Sequence, residues 1–143
     1  MTAAAVRSAT EADAPALVGL LALLGHRMTA PEIAARIRTL QEAGIPQLVA
    51  ADGDQVVGIC GLHQMTAIHR DKPVGRITIL AVREDYQGQG IGKALVAAAA
   101  DHFREQGCGL LEVTSNDRLG DAHAFYVRAG FARTSKRFAL TLD

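Results

Sequence analysis

The 143 residues contain only two cysteines, Cys60 and Cys108, and no CxxC pair, so neither a disulfide scaffold nor a thiol-rich metal centre is written into the chain. Each lies in an apolar segment, which reads as a reduced, buried, structural thiol. An excess of one charge is also missing: Lys+Arg 15 balance Asp+Glu 15, for a formal net charge of zero. A nucleic-acid or anionic-membrane partner calls for basic residues clustered on one face, so DNA, RNA and membrane are set aside. No apolar run approaches the roughly 20 residues of a membrane span. The longest, residues 14–25, is interrupted by Pro15. Glu11 and Asp13 stand where a signal peptide would carry its apolar centre, so a cytoplasmic address is expected. No internal repeat, Pro/Ser-rich linker or charge block divides the chain, and one continuous domain over residues 1–143 is expected.

What is present is the balance of a globular protein, 49% hydrophobic and 21% charged. Residues 3–8 read as a short strand. Thr10 can cap a helix over residues 12–24, where Ala14, Leu17, Val18, Leu21 and Leu24 recur at helical spacing. Thr29, Pro31 and Glu32 start a second helix with Ile33, Ile37 and Leu40 on one face, ended by Gly44 and Pro46. Residues 47–51, the turn Asp52-Gly53-Asp54 and residues 56–65 read as a hairpin. Residues 76–82 are apolar on both faces, as in a central strand covered on each side. A helix over 91–105 stops at Gly107, a strand follows at 110–115, a short helix at 122–128 closes at Gly130, and a last strand is expected over 131–142. The order β-α-α-β-β-β-α-β-α-β around a mixed sheet describes an α+β sandwich and not a doubly wound parallel sheet.

The densest chemical signal is Val82-Arg83-Glu84-Asp85-Tyr86-Gln87-Gly88-Gln89-Gly90-Ile91-Gly92-Lys93, a strand end that runs through three alternating glycines into a helix. Glycines let backbone amides approach a ligand closely, and a helix start leaves amides unpaired with the positive end of the dipole behind them. Such a place binds phosphate or pyrophosphate, the alternative being a Gly-rich turn with no ligand. A P-loop would need Gly where Gln87 stands and Ser or Thr where Ala94 stands. A dinucleotide fingerprint would need Gly at Lys93 or Leu95. Nucleoside triphosphates and NAD both lose ground.

The pattern that does fit is Q/R-x-x-G-x-G/A directly after a strand, carried by Gln87, Gly90 and Gly92. With it the sequence resembles the GNAT superfamily of N-acetyltransferases. A second stretch, Leu111-Glu112-Val113-Thr114-Ser115-Asn116 followed by Ala122-His123-Ala124-Phe125-Tyr126-Val127-Arg128-Ala129-Gly130-Phe131, looks like that family's other signature. The resemblance is good over about residues 56–138, and the first fifty residues fit by element order alone. It implies a GNAT-like α/β/α sandwich and acetyl-CoA as cosubstrate.

The resemblance also implies roles. The loop Gln87, Gly88, Gln89, Gly90, Ile91, Gly92 and Lys93 would hold the acetyl-CoA pyrophosphate through its amides, with Lys93 either adding a charge or being solvated. Backbone groups of Leu80, Ala81 and Val82 would pair with the pantetheine arm where the sheet splays apart, the Val82 amide polarising the thioester carbonyl. Tyr126 would be the general acid that protonates the leaving thiolate, against the plainer reading of an aromatic packed behind Phe125. Asn116 would contact the cofactor arm or satisfy a strand end, and Phe125 and Phe131 would be core. Many members carry a Glu on the strand before the loop. Here Arg76-Ile77-Thr78-Ile79 has no acid, which leaves His63, Glu112 or ordered water to take the amine's proton, with water preferred. His63 and His69 have no third ligand at a recognisable spacing, so no metal is expected.

The acceptor pocket is expected from the early helices and residues 63–72, with Arg27, Arg36 and Arg38 as charges for an anionic acceptor or as solvated face residues. Neither cysteine has the signature of an activated thiol, and Ser115 lacks a local His partner, so direct transfer to the amine of a small molecule, amino acid or peptide is the leading reading. A non-catalytic acyl-CoA sensor or interaction module competes with it. Tyr126 and Asn116 favour the enzyme, because a pure binder needs only the loop. A longer acyl chain is not separated from acetyl by the residues. A homodimer, formed through residues 131–142, is also expected from the resemblance.

Overall fold

The computed structural model describes residues 4–114, 120–135 and 137–142. Five strands form one sheet in the order β1 (Ala5–Ser8), β2 (Leu48–Asp52), β3 (Gln55–Met65), β4 (Val74–Val82) and β5 (Leu110–Val113). The first four are antiparallel and β5 runs parallel to β4, so the sheet is mixed. Four helices cover it: α1 (Ala14–Leu23), α2 (Ala30–Glu42), α3 (Ile91–Glu105) and α4 (Gly120–Arg128). The expected order holds from the first strand through the last helix. Residues 131–135 and 137–142 form no strand, which corrects the expectation for 131–142. An extended segment becomes a strand only when a neighbouring backbone supplies a ladder, and no described residue of this chain does so here.

Local chemistry sets several of the helix ends. At α2, the Thr29 amide donates to Glu32 Oε1 at 3.0 Å and the Glu32 amide to Thr29 Oγ1 at 3.3 Å, satisfying two donors reciprocally. α3 ends at Gly107, whose φ of +78° lets Cys108 N donate back to Phe103 O at 2.9 Å. Ahead of α1, the buried Asp13 carboxylate accepts from the Thr10 amide and from both terminal nitrogens of Arg7, each at 2.8 Å.

The core has two halves, one on each face of the sheet. Leu17, Leu20 and Leu21 of α1 and Ile33 and Ile37 of α2 pack on Val49, Val56, Ile59 and Ala81. On the other face, Ile91, Leu95, Val96, Ala99 and Phe103 of α3 pack on Val57, Cys60, Leu62 and Ile77, with Phe125 of α4 at the margin. Burial on both faces is why β4 reads as an almost unbroken apolar run. Phe103 comes so close that a Cβ on Gly75 would sit 2.5 Å from its Cδ2, so only glycine fits beneath the ring.

One irregularity positions everything that follows. Cys60 pairs with Leu80 and Gly61 with Ile79, but Leu62 pairs with Ile77, so Thr78 is an extra residue in β4. The bulge puts Ile77 and Ile79 against opposite halves of the core. It is also where β5 leaves: the β4–β5 ladder ends at Ile77 and Val113. Beyond it, residues 78–82 have β3 on one side and, among the described residues, no ladder partner on the other.

Candidate active site

The orientation of backbone groups along the free end of β4 follows from the register. Arg83 N donates to Val57 O at 2.8 Å, which makes Val57 and Arg83 a hydrogen-bonded pair of the antiparallel ladder. Alternation then turns the groups of Ala81 and Ile79 toward β3 and those of Val82 and Leu80 toward the open side. The carbonyl of Val82 is taken by Gln87, whose Nε2 donates to it at 3.0 Å. The Val82 and Leu80 amides face the gap left by β5.

The glycine loop follows one turn later. Gly88 and Gly90 have φ of +78° and +83°, with nothing within 4 Å of where a Cβ would lie, so glycine is required there by backbone conformation and not by crowding. The first bond of α3 runs from Ala94 N to Gly90 O, and among the described residues no backbone carbonyl accepts from the amides of residues 88–93. A row of free amides ahead of a fifteen-residue helix fits a phosphate or pyrophosphate group. Lys93 is exposed beside them.

Gly92 joins the loop to the rest of the site. A Cβ there would lie 3.4 Å from Phe125 Cε1 and Cζ and 3.9 Å from Val82 Cγ2. The end of β4, the first turn of α3 and α4 therefore meet at one point. Tyr126 stands next to that contact, its ring edge-on to Phe125 at 5.4 Å and to Phe131 at 5.6 Å between centroids. It is half-buried, and burial, with the Cys60 thiol adding to it, holds its phenol above the ordinary tyrosine value. Such a phenol stays protonated and can give a proton away.

The remaining candidates separate clearly. Cys60 is fully buried opposite Leu80, and burial pushes its thiol up to about 12, far from a thiolate nucleophile. Glu112 lies opposite Arg76 on β4 and accepts from its Nε at 2.9 Å and from its Nη2. His63 is opposite the same Arg76 on the β3 side. Both fall on the far side of the bulge, about four residues or 13 Å along the strand from Leu80. Arg38 is paired with Glu11 at 2.6 Å, whereas Arg27 is exposed between α1 and α2 and Arg36 on the solvent face of α2. Asn116 and Ser115 lie outside the described residues. Among the described residues no three His, Cys, Asp or Glu are grouped to hold a metal, and no helix is long and apolar enough to cross a membrane.

Several residues that shape the site are absent from a motif-level reading. Gly61 lies beneath the bulge, and Gln47 spans the strand end with its side chain: Leu62 N donates to Gln47 Oε1 and Gln47 Nε2 to Leu62 O, both at 2.9 Å. Asp52, read only as a turn former, accepts from Tyr86 Oη at 2.6 Å. No periodicity announces any of these contacts, because each joins residues far apart in sequence.

The chain is similar to known proteins in sequence and fold. The model of the acetyltransferase (GNAT) family matches residues 20–131. Among solved structures, a Trypanosoma brucei acetyltransferase is similar at 26% identity, with a TM-score of 0.83 over 98% of this chain and 100% of its own. A protein described as a transcriptional regulator from Bacillus halodurans shows 25% identity and a TM-score of 0.85 over 98% and 100%. An aminoglycoside acetyltransferase from an uncultured soil sample, in complex with sisomicin, shares the fold at 21% identity and a TM-score of 0.81 over 98% and 97%. The search of curated proteins finds no match.

Proposed function

The chain belongs to the acetyltransferase (GNAT) family, and on that premise we propose that it moves the acetyl group of acetyl-CoA directly to a primary amine of a small molecule, an amino acid or a peptide. The observation that carries this reading is the junction at Gly92, where an open strand edge, a row of free amides and a protonated phenol lie together.

In this reading the amides of residues 88–93 hold the pyrophosphate, backed by the dipole of α3. Lys93 adds a charge at a helix start, where a lysine is unfavourable unless an anion lies beside it. Leu80 pairs with the pantetheine arm through its outward amide and carbonyl and Val82 through its amide alone, its carbonyl being held by Gln87, while Ala81 keeps that edge in register with β3. The Val82 amide stabilises the negative charge that builds on the thioester oxygen. Tyr126 donates its proton to the departing thiolate, and Asn116 contacts the cofactor arm. Water carries off the amine's proton, since the Glu112 carboxylate is engaged by Arg76. The whole chain acts as one domain.

The test is release of free thiol from acetyl-CoA against aminoglycosides, polyamines, free amino acids and short peptides. Release that depends on one amine class supports the reading and names the acceptor. Tight CoA binding with no release for any amine turns the protein into a sensor. We also propose a homodimer through residues 131–142, where Phe138, Leu140 and Leu142 alternate and are 91%, 84% and 92% exposed. Light scattering that shows a monomer at micromolar concentration removes it.

A further inference from the structure

We propose that Asp52, at the end of β2, is a positioning residue for the acetyl-CoA loop, acting through Tyr86. This rests on the acetyltransferase reading, although Asp52 itself is not placed among the groups that touch the cofactor.

The loop has little to hold it. The space where Cβ atoms would lie on its two positive-φ glycines is empty, its amides have no backbone acceptor among the described residues, and Gln89 and Gly90 line a cleft together with Val6 and Ala50. Its conformation must therefore be set at its ends. One end is the helix α3. The other is Tyr86, immediately before Gln87, whose hydroxyl donates to Asp52 Oδ2 at 2.6 Å.

Asp52 is a firm anchor because it is the last β2 residue in register, paired with Gln55 across a tight turn in which Gly53 takes φ of +59°. The Tyr86 ring is fixed on its face as well. The Arg83 guanidinium carbon lies 4.9 Å from the ring centroid, and Arg83 is oriented by two bonds to Asp85, Nε to Oδ1 at 2.7 Å and Nη2 to Oδ2 at 2.6 Å. The side-chain bond from Gln87 to the Val82 carbonyl starts one residue beyond this anchor. Besides the β3–β4 ladder, the β2–β3 hairpin thus reaches the start of the loop through a hydroxyl–carboxylate bond. Without it, the glycines are free to sample other conformations, and ligand binding must bear the cost of ordering them.

The experiment measures acetyl-CoA affinity by calorimetry and backbone NMR order parameters of residues 88–93 without ligand, on the full chain and on D52A, Y86F and D52N. Tyr86→Phe removes one oxygen and leaves the ring under Arg83. Asp52→Asn keeps an acceptor for the hydroxyl. The expected result is about tenfold weaker binding and lower loop order parameters in D52A and Y86F, with D52N close to the parent. Lowered thermal stability with unchanged affinity and unchanged loop order would make Asp52 merely structural and overturn the proposal. A parent protein that binds no acetyl-CoA overturns the acetyltransferase reading instead. The order-parameter comparison then still decides, for or against, whether Asp52 orders the loop.

Discussion

Gly61→Ala tests whether the open edge of β4 depends on a single missing methyl. A Cβ at position 61 would lie 2.7 Å from Ile79 Cγ1, closer still to Thr78 Oγ1, and 3.3 Å from Gln47 Oε1. Carbon atoms pack comfortably at about 3.5–4.0 Å, so the methyl overlaps its nearest neighbours by about 1 Å. Thr78 and Ile79 are both β-branched and restricted at χ1, and Ile79, packed against the core, has little room to turn its Cγ1 aside. The Gln47 amide is held by its two bonds to Leu62. The strand must shift, at about 1–3 kcal/mol for overpacking, or a drop in Tm of about 4–12 °C for a chain of this size.

The segment that moves is the one that carries the Leu80 and Val82 amides, so acetyl-CoA affinity should fall along with stability. A double-mutant cycle with Thr78→Ala separates the cause. Thr78 is exposed, and T78A alone should change stability by no more than about 0.5 kcal/mol. In G61A/T78A the closest overlap is gone while the one with Ile79 remains, so about 1 kcal/mol should return. Thermal unfolding of the four proteins supplies the numbers. Additive effects, or a G61A protein as stable as the parent, would refute the argument that this contact sets the bulge.

Tyr126→Phe should lower turnover at least tenfold with acetyl-CoA affinity nearly unchanged, because only proton donation is removed. In the parent, activity that needs the protonated phenol is lost as pH rises through its pKa, and since that pKa is raised, the alkaline limb should lie above the ordinary tyrosine value near 10. Turnover equal to the parent at every pH would take Tyr126 out of the mechanism. Cys60→Ala should retain catalysis, and Cys60 should resist alkylation in the native protein, as expected of a buried thiol at about 12; loss of activity without loss of folding would reopen the covalent route. The Asp13 pKa is lowered, chiefly by its bonds with Arg7, so its contribution is present at neutral pH and is lost as pH falls below about 4 and through the folded value. Asp13→Asn should cost about 1–2 kcal/mol at pH 7, with the difference in Tm from the parent closing in acid; a gap that stays constant from pH 7 to pH 3 would show that charge is not the cause.

Local signals were legible where local chemistry decides the structure. Thr29 and Glu32, Gly107, the Asp52-Gly53 turn and the apolar face of α3 each specify their own element within a few residues, and all were readable in one dimension. The loop was readable for the same reason, since Gly88 and Gly90 are needed for conformations that the backbone adopts by itself. The tail at 137–142 shows where such reading stops. Phe138, Leu140 and Leu142 alternate as a strand should, yet alternation describes a face and says nothing about whether a ladder partner exists.

The bulge lies beyond local reading for a related reason. Thr78 in the row Arg76-Ile77-Thr78-Ile79 looks like an ordinary outward residue, and only the register with β3 shows that it is one residue too many. That extra residue ends the ladder with β5 and leaves the Val82 amide facing a gap instead of a neighbouring strand. The open edge therefore arises from a pairing that fails, and Gly61, on another strand seventeen positions earlier, is the residue that gives the misfit room.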